Sequence, residues 1–276
     1  MKRFAITGTT SGIGLETAKA LTEAGYEVLM LNRNTEKAEN ARQALPVPEN
    51  ATLIPCDLAD LSKVQEAADT IKSRYDRLDG LINNAGGIFP ERTESADGIE
   101  LTFAVNHLGH FLLTQELIPL LKEGSQPRIV NVSSEAHRSG KPDFSDIELR
   151  QKYSGFQAYG NAKLFNIYFA QSLAEQWEAA GISANAVHPG FVYTRFGRDF
   201  KGWVRRVFSL LYPFMIDQQK GAAPIIELAE SDKGYQYSGY YFKRHKPVQA
   251  APVAYKKENR EELWESSERY IRNASV

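Results

Sequence analysis

The sequence has little of what several common protein classes require. It contains one cysteine, Cys56, which excludes an internal disulfide and a cysteine-built metal cluster and fits a reducing compartment. Its formal net charge of -1 argues against a nucleic-acid binder that depends on a basic surface. No run reaches the ~20 apolar residues of a membrane span, and the opening MKRFAITG lacks the apolar run and cleavage site of a signal peptide. We therefore expect a soluble, cytoplasmic protein.

A glycine-rich turn lies between a predicted strand at 4–6 and a predicted helix. The turn reads TGTTSGIG at 7–14, an arrangement typical of the first half of a dinucleotide-binding unit. In such units Gly8 permits a tight turn, Gly12 lets the backbone approach a pyrophosphate, and Gly14 allows close helix packing. Three glycines also occur in ordinary loops, but this position favours phosphate binding at a helix N-terminus. The candidate contact residues are Gly8, Thr10, Ser11, Gly12, Ile13 and Gly14.

The end of the second predicted strand, at 27–31, carries a basic residue where NAD-binding units carry an acidic one. An Asp or Glu at this point holds the ribose 2′-hydroxyl of NAD, but the sequence here is Asn32-Arg33-Asn34. A guanidinium suits the 2′-phosphate of NADP through a forked, charge-assisted contact. The alternative is a solvated loop arginine. The missing acid favours NADP(H) as the cofactor.

Asp57 follows the third predicted strand, at 52–56. Its carboxylate could accept a hydrogen bond from an adenine amino group. It could also cap the helix that begins near Leu61, although Asp60 or Ser62 could provide that cap instead. The two roles are compatible, so both remain open from the sequence.

Asparagines occur at two places where plain packing does not explain them. Asn83 and Asn84 follow the fourth predicted strand, and their amides can tie strands together and line a cofactor cleft. Asn106 lies inside an apolar stretch that predicts one long, bent helix over 98–122. A buried amide needs hydrogen-bond partners; the alternative to a functional role is a single satisfied core amide.

A tyrosine and a lysine four residues apart follow the fifth predicted strand. That strand, at 128–134, ends in Ser133 and Ser134, and the helix beyond it carries Tyr159 and Lys163. Residues at i and i+4 share one helical face, so the ammonium is expected to lower the pKa of the phenol and allow it to exchange a proton near neutral pH. The alternative is a half-buried tyrosine beside a solvated lysine.

Strands and helices alternate along the whole chain. This order predicts an α/β fold with a Rossmann-type, doubly wound parallel sheet of seven strands and helices on both faces, in a single domain over 1–276. Ligands bind such sheets at the carboxyl ends of strands. The glycine turn, Asn83-Asn84, Ser134 and the Pro189-Gly190 pair after strand six are therefore expected at one edge.

Three segments have less certain paths. The connection at 135–158 is long and polar, as functional or disordered loops are. Residues 191–220 are interpreted as a substrate loop or lid, and the apolar stretch 203–216 inside it is a lid, an interfacial helix in weak peripheral contact with a membrane, or a packed helix. Residues 246–276 form a tail with a predicted helix near 258–271.

The combined motifs resemble the short-chain dehydrogenase/reductase family over about residues 2–245. The sequence is most similar to the retinol-dehydrogenase and WW-domain-oxidoreductase branch, through Asn-Arg-Asn after strand two and the stretches VNVSSEAH and NAVHPG. The interval between Ser134 and Tyr159 is longer than in most members. The motifs that carry the resemblance are TGTTSGIG, NNAG, Asn106, the serine pair, Tyr159-x-x-x-Lys163 and Pro189-Gly190.

The resemblance implies catalytic roles for four residues. Tyr159 is the general acid in reduction and the base in oxidation, and Lys163 lowers its pKa and holds the nicotinamide ribose. Ser134, the second hydroxyl of the pair, bonds the substrate carbonyl, and Asn106 holds a water that relays protons from Lys163. The implied NADP(H) contacts beyond the glycine turn are Arg33, Asp57, Leu58, Asn84, Ala85, Gly86, Tyr159, Lys163, Pro189, Gly190, Val192 and Thr194.

The expected activity is NADP(H)-dependent interconversion of a carbonyl and an alcohol on a lipophilic or aromatic, retinal-like small molecule. That substrate class is suggested by the apolar 203–216 stretch and by Phe191, Phe196 and Phe200. A non-catalytic NADP(H)-binding scaffold or redox sensor is the alternative. A nucleotide-sugar epimerase, which shares Tyr-x-x-x-Lys, is disfavoured because this sequence lacks the large C-terminal substrate domain of those enzymes. His107 and His110 have no third ligand nearby, so no metal is implied. The apolar helices at 98–122 and 159–181 predict a homodimer or homotetramer.

Overall fold

The computed structural model describes residues 1–192 and 216–274, in which strands and helices alternate along the chain. The strands are β1 Arg3–Thr7, β2 Glu27–Asn32, β3 Ala51–Pro55, β4 Gly80–Asn83, β5 Arg128–Val132, β6 Ser183–His188, β7 Tyr241–Lys243 and β8 Lys246–Pro247. The helices are α1 Gly12–Glu23, α2 Thr35–Gln43, α3 Leu61–Arg74, α4 Leu101–Phe103, α5 Gly109–Lys122, α6 Gly155–Gln176, α7 Gln218–Glu230, α8 Asp232–Gln236 and α9 Lys257–Asn273. The 3₁₀ turns are Pro48–Asn50, Glu135–Ser139, Glu178–Ala180 and Pro252–Tyr255.

The strands form one sheet in the order β3-β2-β1-β4-β5-β6-β7-β8. The strand order reverses direction between β1 and β4, and this is the point at which open α/β sheets place their ligand crevice. The first seven strands are parallel, as predicted. The prediction of seven strands missed β8, which pairs antiparallel with β7 after a tight turn in which Arg244 has a φ of 54°. A two-residue strand containing Pro247 gives no strand pattern in the sequence.

The hydrophobic core lies in two layers, one on each face of the sheet. Successive side chains of a strand point to opposite faces, so Ala5 packs with α3, α5 and α6, whereas Phe4 and Ile6 pack with α1, α2 and α7. Strands with both faces covered are apolar throughout, which is why β1, β2 and β4 read as short apolar runs. The sandwich of layers confirms the predicted α/β class.

Polar side chains fix where several helices begin. Asn34 accepts from the backbone N–H of Lys37 at α2, and Asp60 accepts from that of Lys63 at α3. Ser154 caps α6, which begins at Gly155, several residues before the predicted start at Tyr159. The sequence stretch before Tyr159 was interpreted as irregular because its glycine and polar residues resemble a loop.

The C-terminal helix α9 covers α5 and α6. The Trp264 ring lies 4.9 Å from the ring of Phe111 and 6.1 Å from that of Phe169, between centroids, and Leu263 is buried. The ring Nε2 of His107 is 2.9 Å from Ser267 Oγ. Part of the apolar surface of α5 and α6, the helices on which the predicted subunit interface depends, is therefore covered by α9.

None of the helices between residues 1 and 192 or 216 and 274 has the length and apolar character that crossing a bilayer requires. The predicted lid segment at 203–216 lies almost wholly outside the described residues. The described residues on the two sides of 193–215 lie side by side. Val192 pairs with Ile216 in an isolated parallel bridge, and the Ile216 N–H donates to Phe191 O at 2.8 Å.

Candidate active site

The glycine-rich turn after β1 packs so tightly against neighbouring backbone that a Cβ does not fit at Gly8 or Gly14. Gly8 and Gly12 have φ angles of 74° and 67°, a region that favours glycine. A Cβ on Gly14 would lie 2.3 Å from Gly8 O, and one on Gly8 would lie 2.9 Å from Ala85 Cβ. Ser11 precedes α1 and makes no capping hydrogen bond with its side chain. The first-turn N–H groups of α1 are thus left for an anion.

Thr7 joins this turn to the turn after β4. Its hydroxyl accepts from the backbone N–H groups of Asn84 and Ala85, both at 3.0 Å, and the Asn84 side chain donates back to Thr7 O at 2.9 Å. The same hydroxyl is 2.9 Å from His110 Nε2. The ring Nδ1 of His110 is 3.3 Å from Asn106 O, which can only accept, so Nδ1 carries the proton and Nε2 accepts from Thr7.

His110 therefore links three candidate site elements, the glycine turn, the Asn84 turn and the helix of Asn106. Burial lowers the pKa of His110 to about 3, so the ring stays neutral and this hydrogen-bond pattern persists at ordinary pH. The sequence interpretation treated His107 and His110 as helix-packing residues. That interpretation missed the contact with Thr7, for which spacing along the chain gives no signal.

Asn106 lies where the helix widens. Residues Ala104–Leu108 form a single π-helical segment between α4 and α5, within the stretch predicted as one long helix. The Asn106 amide donates to Thr102 O and to Gly87 O, each at 2.9 Å, and its Oδ1 accepts from the Gly87 N–H at 3.2 Å. A Cβ on Gly86 would lie 2.4 Å from that Oδ1 and 3.3 Å from Lys163 Nζ. Asn106 thus holds the Gly86-Gly87 turn against the lysine.

The two serines after β5 have different environments. Ser133 is buried and its hydroxyl donates to Lys163 O at 2.6 Å, which ties β5 to α6. Ser134 is partly exposed, its Oγ accepts from the Ala136 N–H at 3.2 Å, and it hydrogen-bonds the hydroxyl of Tyr159. Of the two hydroxyls, only that of Ser134 faces the tyrosine.

Tyr159 and Lys163 lie in the first turns of α6, at the carboxyl ends of β4 and β5. Lys163 Nζ is 5.4 Å from the centre of the Tyr159 ring and donates to Val132 O at 3.0 Å. The lysine is 4% exposed, which rules out a solvated lysine. Burial lowers the pKa of Lys163 to about 8.

The expected lowering of the Tyr159 pKa by Lys163 does not occur in the polypeptide alone. Burial raises the pKa of Tyr159, and only the hydrogen bond with Ser134 opposes this. The sequence argument considered the neighbouring charge and omitted desolvation, which disfavours the phenolate.

The adenosine end of the predicted site contains Arg33 and Asp57. Arg33 Nε lies 4.0 Å from Asp57 Oδ2, and the arginine side chain is 76% exposed, so its donors are accessible. Asp57 accepts from the Ala59 N–H at 3.0 Å and does not cap α3, because Asp60 does. Leu58 is buried beside these residues.

Sequence reasoning missed Asn32, the last residue of β2. Its amide accepts from the Thr9 N–H at 2.8 Å and donates to the Thr9 hydroxyl at 2.7 Å. This pair holds the glycine turn against β2. An asparagine directly before Arg33 was the available signal.

The loop after β6 lies on the side of the site where the family resemblance predicts the nicotinamide. Gly190 has a φ of 109°, and a Cβ on Gly221 would lie 2.5 Å from Val192 Cγ2 and 3.3 Å from Ile13 Cγ1. Pro189, Gly190 and Val192 are thus placed near the glycine turn. Thr194 lies outside the described residues.

The site residues therefore meet at one sheet edge, where β1, β4, β5 and β6 end. The family model described as short chain dehydrogenase matches residues 2–205. The chain belongs to the short-chain dehydrogenase family. Members of this family are oxidoreductases, and the retinol-dehydrogenase-like branch is supported by curated relatives. Within the described residues, no group of three His, Cys, Asp or Glu side chains is placed to hold a metal ion.

Two relatives illustrate the position of this short-chain dehydrogenase within the family. Retinol dehydrogenase 12 of Mus musculus is 35% identical over 96% of this chain and 85% of its own. The WW domain-containing oxidoreductase of Drosophila melanogaster is 34% identical over 96% of this chain and 67% of its own.

Solved structures agree with the fold. An uncharacterised protein from Mycobacterium paratuberculosis has a TM-score of 0.81 at 31% identity, covering 99% of this chain and 94% of that one. The RhlG/NADP active-site complex of Pseudomonas aeruginosa has a TM-score of 0.72 at 25% identity, covering 88% of this chain and 94% of the other.

Proposed function

We propose that this short-chain dehydrogenase interconverts a carbonyl and an alcohol on an apolar small molecule, with NADP(H) as the cofactor. The observation that carries the proposal is the grouping of Ser134, Tyr159 and buried Lys163 beside a glycine turn that excludes side chains. The turn fits a dinucleotide, because Gly8 and Gly12 give it a backbone path that other residues rarely adopt, and because no side chain caps the first N–H groups of α1, which can bind a pyrophosphate.

The chain's own groups then have distinct tasks. When bound, the nicotinamide supplies or accepts the hydride. Tyr159 donates a proton to the carbonyl oxygen in reduction and takes it back in oxidation, and Ser134 donates a hydrogen bond to the same oxygen. Lys163 would hold the nicotinamide ribose of the bound cofactor, as the family resemblance implies. Asn106 keeps the Gly86-Gly87 turn in place against Lys163.

The cofactor part of the proposal depends on Arg33. Its exposed guanidinium stands at the end of β2 beside Asp57, where it can take the 2′-phosphate of NADP. RhlG, which shares the fold at 25% identity, was solved as a complex with NADP, and this supports the same cofactor here.

The substrate part depends on two exposed phenylalanines at the site edge. Phe191 is 59% exposed directly after Gly190, and Phe156 is 49% exposed three residues before Tyr159, on the same face of α6. Exposed aromatic rings beside a reactive group suit an apolar ligand. Relatives named retinol dehydrogenase support a substrate of that character.

The first experiment measures NADPH consumption with a panel of apolar aldehydes and ketones. Tyr159→Phe should lower kcat by about 10²–10⁴-fold, the usual contribution of a general acid, while NADPH binding persists. Ser134→Ala should lower kcat as well, whereas the matched Ser133→Ala should affect mainly stability, because the Ser133 hydroxyl bonds Lys163 O. Full turnover by Tyr159→Phe would contradict the assignment, and NADPH binding without turnover of any substrate would favour a cofactor-binding scaffold.

The second experiment compares the two cofactors. Arg33→Ala should raise KM for NADPH about tenfold or more, the scale of a lost charge-assisted hydrogen bond, and leave KM for NADH nearly unchanged. Lys257→Ala removes an exposed charge on α9 and serves as the control. Equal effects of Arg33→Ala on both cofactors would reject the 2′-phosphate contact.

A further inference from the structure

His137 lies three residues after Ser134, in the 3₁₀ turn Glu135–Ser139, and has no solvent exposure. Its ring Nδ1 is 2.7 Å from Ser134 O, and its Nε2 accepts from the Ala251 N–H at 3.0 Å. A carbonyl only accepts and a backbone N–H only donates, so the tautomer is fixed with the proton on Nδ1. Both ring nitrogens are committed, one to Ser134 and one to the C-terminal segment.

These bonds act on the residue that carries the reactive hydroxyl. The Ser134 carbonyl accepts from the His137 ring and also from the His137 backbone N–H at 3.0 Å, so the orientation of its peptide group is fixed twice. The Ser134 Oγ accepts from the Ala136 N–H within the same turn. A fixed peptide group limits the directions in which this hydroxyl can point.

The turn is also attached to β7. The Glu135 carboxylate accepts from the Tyr241 hydroxyl and from Lys243 Nζ, both at 3.0 Å. The Tyr241 ring meets the His137 ring edge to face with centroids 4.7 Å apart. Glu135 and His137, which both follow Ser134 in the same turn, are thus held by the segment 241–251, which lies far along the chain.

We propose that His137 is a positioning residue, which orients the Ser134 hydroxyl toward the substrate oxygen by anchoring the Ser134 peptide group to Ala251. This inference rests on the proposed function, because it assigns Ser134 a bond to the reacting carbonyl. It gives the segment 241–251 a part in the reaction although none of its residues needs to touch the substrate.

Two substitutions separate the two bonds of the ring. An asparagine places its amide near the position of Nδ1, so His137→Asn can keep the donor to Ser134 O and loses the acceptor for Ala251. A glutamine reaches the position of Nε2, so His137→Gln can keep that acceptor and loses the donor to Ser134 O. Both variants are neutral and polar, so each serves as a control for the other.

We expect His137→Gln to lower kcat for carbonyl reduction about 10-fold or more, the scale of one transition-state hydrogen bond. KM for the carbonyl and the dissociation constant for NADPH should change less than about twofold, because Ser134 bonds the developing alkoxide and not the cofactor. His137→Asn should keep the larger share of kcat. Rates are compared at equal folded fraction, measured by circular dichroism.

A double-mutant cycle of His137 and Ser134 distinguishes a positioning role of His137 from a purely structural one, which would lower kcat independently of Ser134. If His137 acts through Ser134, adding His137→Gln to Ser134→Ala should cause no further loss of kcat. Additive losses, or a His137→Gln variant with wild-type kcat, would overturn the inference and leave the proposed function standing. Wild-type protein that binds NADPH and reduces no carbonyl would overturn both.

Discussion

At the scale of the residue, the most consequential feature is a buried positive charge. Lys163 is 4% exposed and its Nζ donates a hydrogen bond to Val132 O. Burial lowers its pKa from 10.5 to about 8, which corresponds to roughly 3 kcal/mol against the charged form. The buried ammonium of Lys163 therefore lowers the free energy of unfolding of the cofactor-free protein. Its position beside Tyr159 indicates that it serves the site and not the stability of the fold.

Lys163→Met should therefore stabilise the cofactor-free protein while abolishing turnover. Val132 O keeps a donor, because Asn166 Nδ2 also bonds it at 3.0 Å. We expect the free energy of unfolding in urea at pH 7 to rise by about 1–3 kcal/mol. The gain should shrink as pH rises from 8 toward 10.5, because the wild-type lysine then loses its proton in the folded state.

Lys257→Met, an exposed lysine on α9, is the control and should show neither effect. A Lys163→Met variant that is less stable than wild type at pH 7 would show that the ammonium stabilises the fold.

At the scale of the element, the polar connection between β5 and α6 is held by a buried carboxylate. Glu148 Oε1 accepts from Arg150 Nη2 at 2.7 Å and from the Tyr270 hydroxyl at 2.9 Å, and Oε2 accepts from the Glu100 N–H at 2.9 Å. The Glu148 side chain is 3% exposed. One residue thus joins the connection to the start of α4 and to α9, so this segment is ordered by contacts distant along the chain.

The Glu148 network predicts acid sensitivity. Burial by itself would raise the pKa of Glu148, but the hydrogen bonds from Arg150, Tyr270 and the Glu100 N–H outweigh it, and the pKa is lowered. A carboxyl with a lowered folded-state pKa stabilises the fold above its unfolded pKa of ~4.3, and that stability is lost as pH falls through the folded value.

Glu148→Gln should lower the free energy of unfolding by about 2 kcal/mol at pH 7, the scale of hydrogen bonds to a charged group. The loss should begin to diminish below pH ~4.3, where the carboxyl of the unfolded wild-type chain takes up a proton, and should vanish below the lowered folded-state pKa. The measurement is urea unfolding between pH 3 and 7, with exposed Glu261→Gln as the control. If Glu148→Gln lowers the free energy of unfolding equally at every pH, the charge of Glu148 does not contribute to stability.

At the scale of the whole molecule, the two sheet faces are completed differently. The face packed with α1, α2 and α7 is closed by those helices, whereas α5 and α6 on the other face carry a further layer, α9. Arg260 of α9 also pairs with Glu175 of α6, and Asn259 Nδ2 bonds the Tyr168 hydroxyl at 3.1 Å. The C-terminal helix thus covers part of the apolar surface of α5 and α6, the two helices on which the predicted subunit interface depends.

We propose that α9 occupies the surface that a dimer or tetramer would use, in which case light scattering gives the mass of one chain; the dimer or tetramer predicted from the apolar helices is the other outcome of this measurement. Leu263→Asp should displace α9 and expose the rings of Phe111 and Phe169, so the variant should self-associate in a concentration-dependent way. Glu262→Asp, a neighbouring exposed position, should stay at wild-type mass. A wild-type mass of two or four chains would show that subunits associate through another surface.

The sequence by itself determined the features that depend on local pattern. Short apolar runs marked β1, β2 and β4, and the glycine spacing marked the turn into α1, because steric limits on the backbone leave few residues able to form it. The family followed from motifs in a fixed order, which is why Tyr159, Lys163 and Ser134 could be named. The parallel sheet followed from alternation of strands and helices.

Only the tertiary structure decided the features that depend on partners distant in the chain. Burial, which sets the pKa directions of Tyr159 and Lys163, is a property of packing and is invisible in spacing. His137 has its partners in Ser134 and Ala251, and His110 reaches Thr7, so neither could be singled out in a linear sequence. The apolar faces of α5 and α6 were predicted correctly, but what covers them was decided by where α9 folds back.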